Sequence, residues 1–378
     1  MRVLISPDKF KGTLTAAQAA AAMAEGVRRA HPHADIALLP IADGGDGTLE
    51  AALAAGFTEQ RTRVNGPRGA EVEARWALRG GTAVIETAAA SGLLLTTPSV
   101  ESALYSHSYG SGQLIAAALD ARATQIVIGL GGSAMTDGGA GALQALGLAL
   151  YSGDGTPLRP GIDVLSEAAR LEVGRLDPRL AGVALRIATD VDNHLYGPDG
   201  AACVFGPQKG ADAAAVRRLD EALRHWAAVL SSTSGRDVNV AGAGAAGGFA
   251  AGFLAFTGAR LERGFDLVAD LVGFDAALAE AELLVTGEGR VDAGSAHGKA
   301  PLAAAGRARD RGVPVALVAG DITVPREQLT QYGIVAAASL MDLAADTEDA
   351  FARAADYVTR ATQRALEAIQ AARGGGPA

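Results

Sequence analysis

Short β-branched runs alternate with alanine-rich helical stretches along this chain, a pattern that points to a mainly parallel sheet covered by helices. The run 2–6 reads as a buried strand, and Thr15 with Gln18 has the spacing of a capping box, which predicts a helix from there to Ala30. A second strand over 35–40 leads into the loop Ala42-Asp43-Gly44-Gly45-Asp46-Gly47, and another helix follows. The C-terminal third repeats this grammar, with strands over 283–287, 314–319 and 334–338 and helices near 298–310 and 347–372. Neither end holds enough strands for a sheet alone, but together they supply five. The expectation is therefore an α/β chain of two domains. A doubly wound parallel-sheet domain is built from both termini (1–64 plus 265–378), and a second α/β domain is inserted over 65–264 with the active-site cleft between them. The insert has its own strands over 83–87, 125–129 and 184–189, and a helix over 211–230 whose Trp226 reads as core.

Composition narrows the class further. Of 378 residues, 84 are alanine and 49 glycine, so the core is filled by small side chains and many turns can use positive φ. No stretch reaches the roughly 18 apolar residues of a membrane helix, and the N-terminus turns polar too soon for a signal peptide. Cys203 is the sole cysteine, which excludes an internal disulfide and a cysteine-based zinc site. A net charge of −9 with no dense basic stripe argues against nucleic acid as partner. The expected protein is cytoplasmic, a monomer or homodimer, acting on small molecules without membrane or nucleic acid. Only the Gly-Gly-Gly-Pro-Ala tail reads as unstructured.

Only four of the 33 basic residues are lysine, namely Lys9, Lys11, Lys209 and Lys299. All four fall in glycine-bearing loops near predicted strand ends. The loops are Ser6-Pro7-Asp8-Lys9-Phe10-Lys11-Gly12-Thr13, Asp43-Gly44-Gly45-Asp46-Gly47-Thr48, and Gly129-Leu130-Gly131-Gly132-Ser133 running on to Asp137-Gly138-Gly139. Later come Asp190-Val191-Asp192-Asn193 with Phe205-Gly206-Pro207-Gln208-Lys209-Gly210, and Gly287-Glu288-Gly289-Arg290-Val291-Asp292 with His297-Gly298-Lys299. Glycines let backbone N–H groups approach anionic oxygens, lysine supplies a compact point charge, and carboxylates hold Mg²⁺ or accept a proton. Any one such loop is as well explained by ordinary turn chemistry. Five of them collecting every lysine favour phosphate chemistry. Gly242-Ala243-Gly244-Ala245-Ala246-Gly247 fits a dinucleotide fingerprint, but the preceding Val238-Asn239-Val240-Ala241 is short and polar, so close helix packing is the better reading. No Walker A motif is present. Among the six histidines only His297 has a suggestive setting.

These loops, with Thr286-Gly287-Glu288-Gly289-Arg290 and the Gly242 segment, make the chain resemble the glycerate kinase family of the bacterial type I class over nearly its full length. The resemblance implies ATP-dependent, Mg²⁺-assisted phosphorylation of D-glycerate to 2-phosphoglycerate, and a flavodoxin-like domain carrying an inserted α/β domain. The chain departs from the family at Lys9, where Ser is usual, at Thr136, where Asn is usual, and at His194, where Pro is more frequent. In this frame Asp190 is the first choice of general base and Asp292 the second. Lys11 and Arg290 would neutralise the transferring phosphates, while Asp8, Asp43, Arg68 and Lys299 would bind substrate, with Arg68 as the carboxylate clamp. Gly131, Gly132 and Ser133, at the start of a helix, would cradle ATP together with Gly287 and Lys209, and Asp43 and Glu288 would hold Mg²⁺. Glycerate 3-kinase, a kinase of another small hydroxy acid, and a non-catalytic nucleotide or phosphate sensor stay open as alternatives.

Overall fold

The computed structural model describes residues 1–292 and 299–374. His297, Gly298 and residues 375–378 lie outside these. The chain forms two compact units: Met1–Asp43 with Glu50–Ala55 and Phe265–Ala378, and Gly44–Leu49 with Gly56–Gly264. Among the described residues no helix is long and apolar enough to cross a membrane.

The first unit opens with strands β1 (Arg2–Ile5) and β2 (Asp35–Leu38), joined by the helix Ala16–Ala30. Both bonds of the predicted capping box are made. The Gln18 N–H donates to Thr15 Oγ1 at 3.2 Å, and the Thr15 N–H donates to Gln18 Oε1 at 2.9 Å.

The chain then builds the second unit with β3 (Thr58–Asn65), β4 (Glu71–Arg79), β5 (Thr82–Glu86), β6 (Gln125–Gly129), β7 (Ala149–Tyr151), β8 (Arg170–Glu172), β9 (Ala184–Thr189) and β10 (Arg260–Arg263). Six of these form one sheet in the order β10-β9-β6-β5-β4-β3, with β7 and β8 pairing separately. The run from β5 to β10 is parallel, and β3 and β4 are antiparallel additions. Strand β3 pairs along its whole length with β4. It therefore belongs to this unit, although a boundary at residue 64 would assign it to the terminal one. Hydropathy does not reveal this hairpin because its exposed face is charged. Arg61 meets Glu73 at 2.8 Å and Arg75 meets Glu59 at 2.6 Å across its exposed face. Trp226 is fully buried in the helix Ala213–Ser234, as expected of a core residue, and its Nε1–H donates to the Gly138 carbonyl at 3.1 Å.

Strands β11 (Leu283–Val291), β12 (Val315–Ile322) and β13 (Ile334–Ser339) return to the first unit and complete its sheet in the order β2-β1-β11-β12-β13. Every pairing in it is parallel. Counted within the unit, this is the 2-1-3-4-5 order of the flavodoxin-like fold, so the α/β, doubly wound expectation holds. Alternate residues feed the two faces: Val3, Ile5 and Val285 pack into one apolar cluster, Leu4 and Leu284 into the other. Alanine lets helices come close. A side chain at Gly26 would stand 2.4 Å from the Thr359 carbonyl of the helix Ala354–Gly374.

Candidate active site

In an open parallel sheet, ligands sit beyond the carboxyl ends of the strands where the strand order reverses. In the first unit that point lies between β1 and β11. The loops there are stitched together by backbone. The Asp8 N–H donates to the Gly287 carbonyl at 2.9 Å, and the Ile41 N–H donates to the Pro7 carbonyl at 3.0 Å. Ser6 Oγ donates to the Leu39 carbonyl at 2.6 Å, and Thr286 Oγ1 to the Ser6 carbonyl at 2.7 Å.

This stitching buries carboxylates. Asp8 follows β1 and Glu288 lies within β11, and they are only 8% and 7% exposed. Burial pushes the Asp8 carboxyl up to about 7, and the neighbouring charges of Asp43 and Glu288 add to the rise. The Lys9 ammonium and the Lys9 N–H, which donates to Asp8 Oδ1 at 2.6 Å, pull the other way. Lys299 lies 3.5 Å from Glu288 and 3.8 Å from Asp292. Arg290, also on β11, faces Asp321 of β12 at 3.7 Å, and Lys11 stands exposed on the β1 loop. The cluster is thus Asp8, Asp43, Glu288 and Asp292 with Lys9 and Lys299, which only the return of β11 beside β1 can assemble.

Gly287 is fixed as glycine by packing. A Cβ there would lie 1.8 Å from the Val318 carbonyl, so the glycine serves the packing of β11 against β12.

The second unit carries the remaining predicted residues. The loop after β6 differs from the expectation that Gly131, Gly132 and Ser133 open a helix. It runs without helix through Gly139 before the short helix Ala140–Ala145. Buried polar contacts hold it in that path. The Lys209 ammonium, on a residue 2% exposed, donates to the Met135 carbonyl at 2.6 Å and lies 3.4 Å from both Ser133 Oγ and Thr136 Oγ1. Lys209 therefore braces this loop from inside. Asp137 accepts the Ser108 N–H and hydroxyl, each at 2.7 Å, and the Gly139 and Gly141 N–H groups at 3.2 Å. The three loop residues proposed as a cradle also differ among themselves. A Cβ on Gly131 would meet the Asp46 N at 2.4 Å, so backbone closes on it. Gly132 takes φ +63°, and nothing lies within 3.5 Å of where its Cβ would stand.

Asp190 follows β9 on the surface, with Oδ1 accepting the Gly264 N–H at 2.8 Å. The Arg68 guanidinium is committed to Glu101, at 2.6 Å to its carboxylate and 2.8 Å to its carbonyl. One anchor escaped sequence reasoning and a second was only partly visible to it. Glu86, at the end of β5, accepts the Gly47 and Leu49 N–H groups at 2.9 and 2.8 Å and so fixes the glycine loop. Asp137 was visible as part of a motif, but its partners lie up to 29 positions away in sequence.

A family model described as the glycerate kinase family matches residues 3–370. The chain is 43% identical to a glycerate kinase of Bacillus subtilis over 99% of both proteins. It is 41% identical to the glycerate 2-kinase of Escherichia coli over 96% of both. A crystal structure from Salmonella typhimurium LT2, provisionally named glycerate kinase 2, matches with a TM-score of 0.87 and 39% identity over 99% of each chain.

Proposed function

The chain belongs to the glycerate kinase family, and on that premise we propose that it transfers the γ-phosphoryl group of ATP to D-glycerate, releasing 2-phosphoglycerate and ADP. The observation that carries this reading is the carboxylate cluster of the buried Asp8 and Glu288 and the half-buried Asp43, with Lys299 against it, at the switch point of the terminal sheet. Phosphoryl transfer asks mainly for positioning and charge neutralisation. Three carboxylates repel a triphosphate unless a cation stands between them, and their hard oxygen donors suit Mg²⁺. That ion is commonly held by one or two carboxylates plus phosphate oxygens and water. Among the described residues no group of three or more His, Cys, Asp or Glu is placed to hold a metal ion, so in this reading one or two carboxylates would contribute and water and phosphate would supply the rest of the shell. Asp43 and Glu288 would hold the ion, directly or through water, and its charge would offset that of the phosphates.

Lys11 and Arg290 add positive charge, and the Gly132-Ser133 loop takes phosphate oxygens. Lys299, paired with Glu288, and Arg68, paired with Glu101, are the two candidates for glycerate's carboxylate. Asp190 remains the candidate base, its carboxylate oriented by the Gly264 N–H. A second reading gives the role to Asp8, because a carboxyl raised to about 7 is matched to taking a proton near neutrality. Asp190→Asn should lower kcat on the order of 10²-fold or more if it is the base. Near-normal turnover there, with collapse in Asp8→Asn, transfers the role to Asp8.

An ATP-consumption assay across D-glycerate, L-glycerate and related hydroxy acids tests the activity, and NMR of the product places the phosphate. Phosphate on the 3-hydroxyl, or preference for another acid, replaces the reading; no turnover with any acid leaves a sensor. A cytoplasmic setting and a monomeric or homodimeric state complete the proposal, and the free Cys203 is in keeping with a reducing compartment.

A further inference from the structure

The turn Leu93–Leu95 displays apolar side chains that the fold does not use. Leu94 is fully exposed (101%) and Leu95 is 42% exposed, although they sit in a well-bonded 3₁₀ turn. That turn is tied directly to the loop after β6. The Leu93 N–H donates to the Gly132 carbonyl at 2.8 Å, the Ala134 N–H donates to the Ser91 carbonyl at 2.8 Å, and Gly92 pairs with Ser133 as an isolated bridge. Leucines and phosphate loop are therefore one rigid piece. The stretch from Gly92 to Val100 carries no charge, so it offers nothing to a charged partner. It does offer an apolar surface within a few residues of the loop that takes phosphate oxygens in the proposed reaction. A nucleoside triphosphate joins those two chemistries in one molecule, with a flat uncharged ring at one end and anionic oxygens at the other.

We infer that Leu94 and Leu95 form the platform on which the adenine ring of the phosphoryl donor rests. This rests on the kinase reading above and adds to it the residues that distinguish ATP from bare polyphosphate. A fully exposed leucine contributes little to folding, so a polar substitution there leaves the fold intact, and circular dichroism with thermal melting verifies that.

The test compares the wild-type chain with Leu94→Asp and with Leu94→Ser/Leu95→Ser, using ATP and inorganic triphosphate as probes. Calorimetric binding should show ATP weakened on the order of tenfold in the variants, with triphosphate affinity unchanged. In turnover, KM for ATP should rise by a similar factor while KM for glycerate stays put. Unchanged ATP affinity overturns the inference. So does equal weakening of ATP and triphosphate, which would locate the effect in the loop. A dimer converted to monomer at unaltered ATP affinity, read by analytical ultracentrifugation, also overturns it, because a second copy would then be what covers the leucines. If the wild-type chain binds ATP with this preference but phosphorylates no hydroxy acid, the functional reading fails and the platform stands.

Discussion

A buried ammonium is tolerated only where its donors are satisfied, and Lys209 shows what that costs. Its three partners are a carbonyl and two hydroxyls of the Ser133–Thr136 segment, with Asp137 the nearby negative charge. Burial pushes the amine down to about 8, against a smaller upward pull from Asp137. The sign of the linkage follows. Below about pH 8 both folded and unfolded chains keep this proton, so the residue adds no slope there. From about 8 up towards the ordinary lysine value near 10.5 the unfolded chain still holds the proton that the folded chain has given up, and stability rises with pH. Thermal melts between pH 8 and 10 should show this rise in the wild type relative to Lys209→Met, which lacks the group. Parallel curves would mean that the amine keeps its proton in the fold. Lys11, exposed on the β1 loop, has its proposed role in the reaction instead. Lys11→Met should lower kcat for glycerate phosphorylation with little change in KM, and a pure KM effect would assign it to ground-state binding.

At the level of elements, close packing of small residues does the work that large side chains do elsewhere. The helices Ala16–Ala30 and Ala354–Gly374 cross at Gly26, and Thr359 Oγ1 donates to the Ala22 carbonyl at 2.9 Å. Gly26→Val should destabilise the first unit by about 1–3 kcal/mol or more through overpacking, read as a lower midpoint in urea unfolding. An unchanged midpoint would show that the two helices can part without loss. The same elements show how far the sequence carries. The five terminal strands, the capping box at Thr15 and the buried Trp226 were legible because periodicity, spacing and side-chain size are local properties. The β3–β4 hairpin was not, since its exposed face is charged and only Val64, Ala74, Trp76 and Ala77 of its two strands are buried. That Gly131 and Gly287 must be glycine for packing is not visible in the sequence, because only the neighbouring backbone at Asp46 and Val318 imposes it. The carboxylate cluster was half legible. Each of its members could be named, but Asp8 and Glu288 are 280 positions apart, and nothing local says that one raises the proton affinity of the other.

For the molecule as a whole, each unit has its own sheet and core, and both tryptophans, Trp76 and Trp226, are buried in the second. Tryptophan fluorescence therefore reports on that unit alone, while far-ultraviolet circular dichroism reports on both. Denaturant unfolding followed by the two signals should give curves that do not coincide, the signature of departure from a two-state transition. Coincident curves would mean the units unfold as one. The terminal sheet has a further consequence for the chain as it is made. β1 and β2 leave the ribosome first, but β11, which covers the other edge of β1, follows only after roughly 240 more residues. At typical synthesis rates that is a wait on the order of tens of seconds, during which the inserted unit can complete its fold. For that interval the nascent β1 edge is a bare template for any passing strand, so the interval before β11 emerges is when this protein most needs a chaperone.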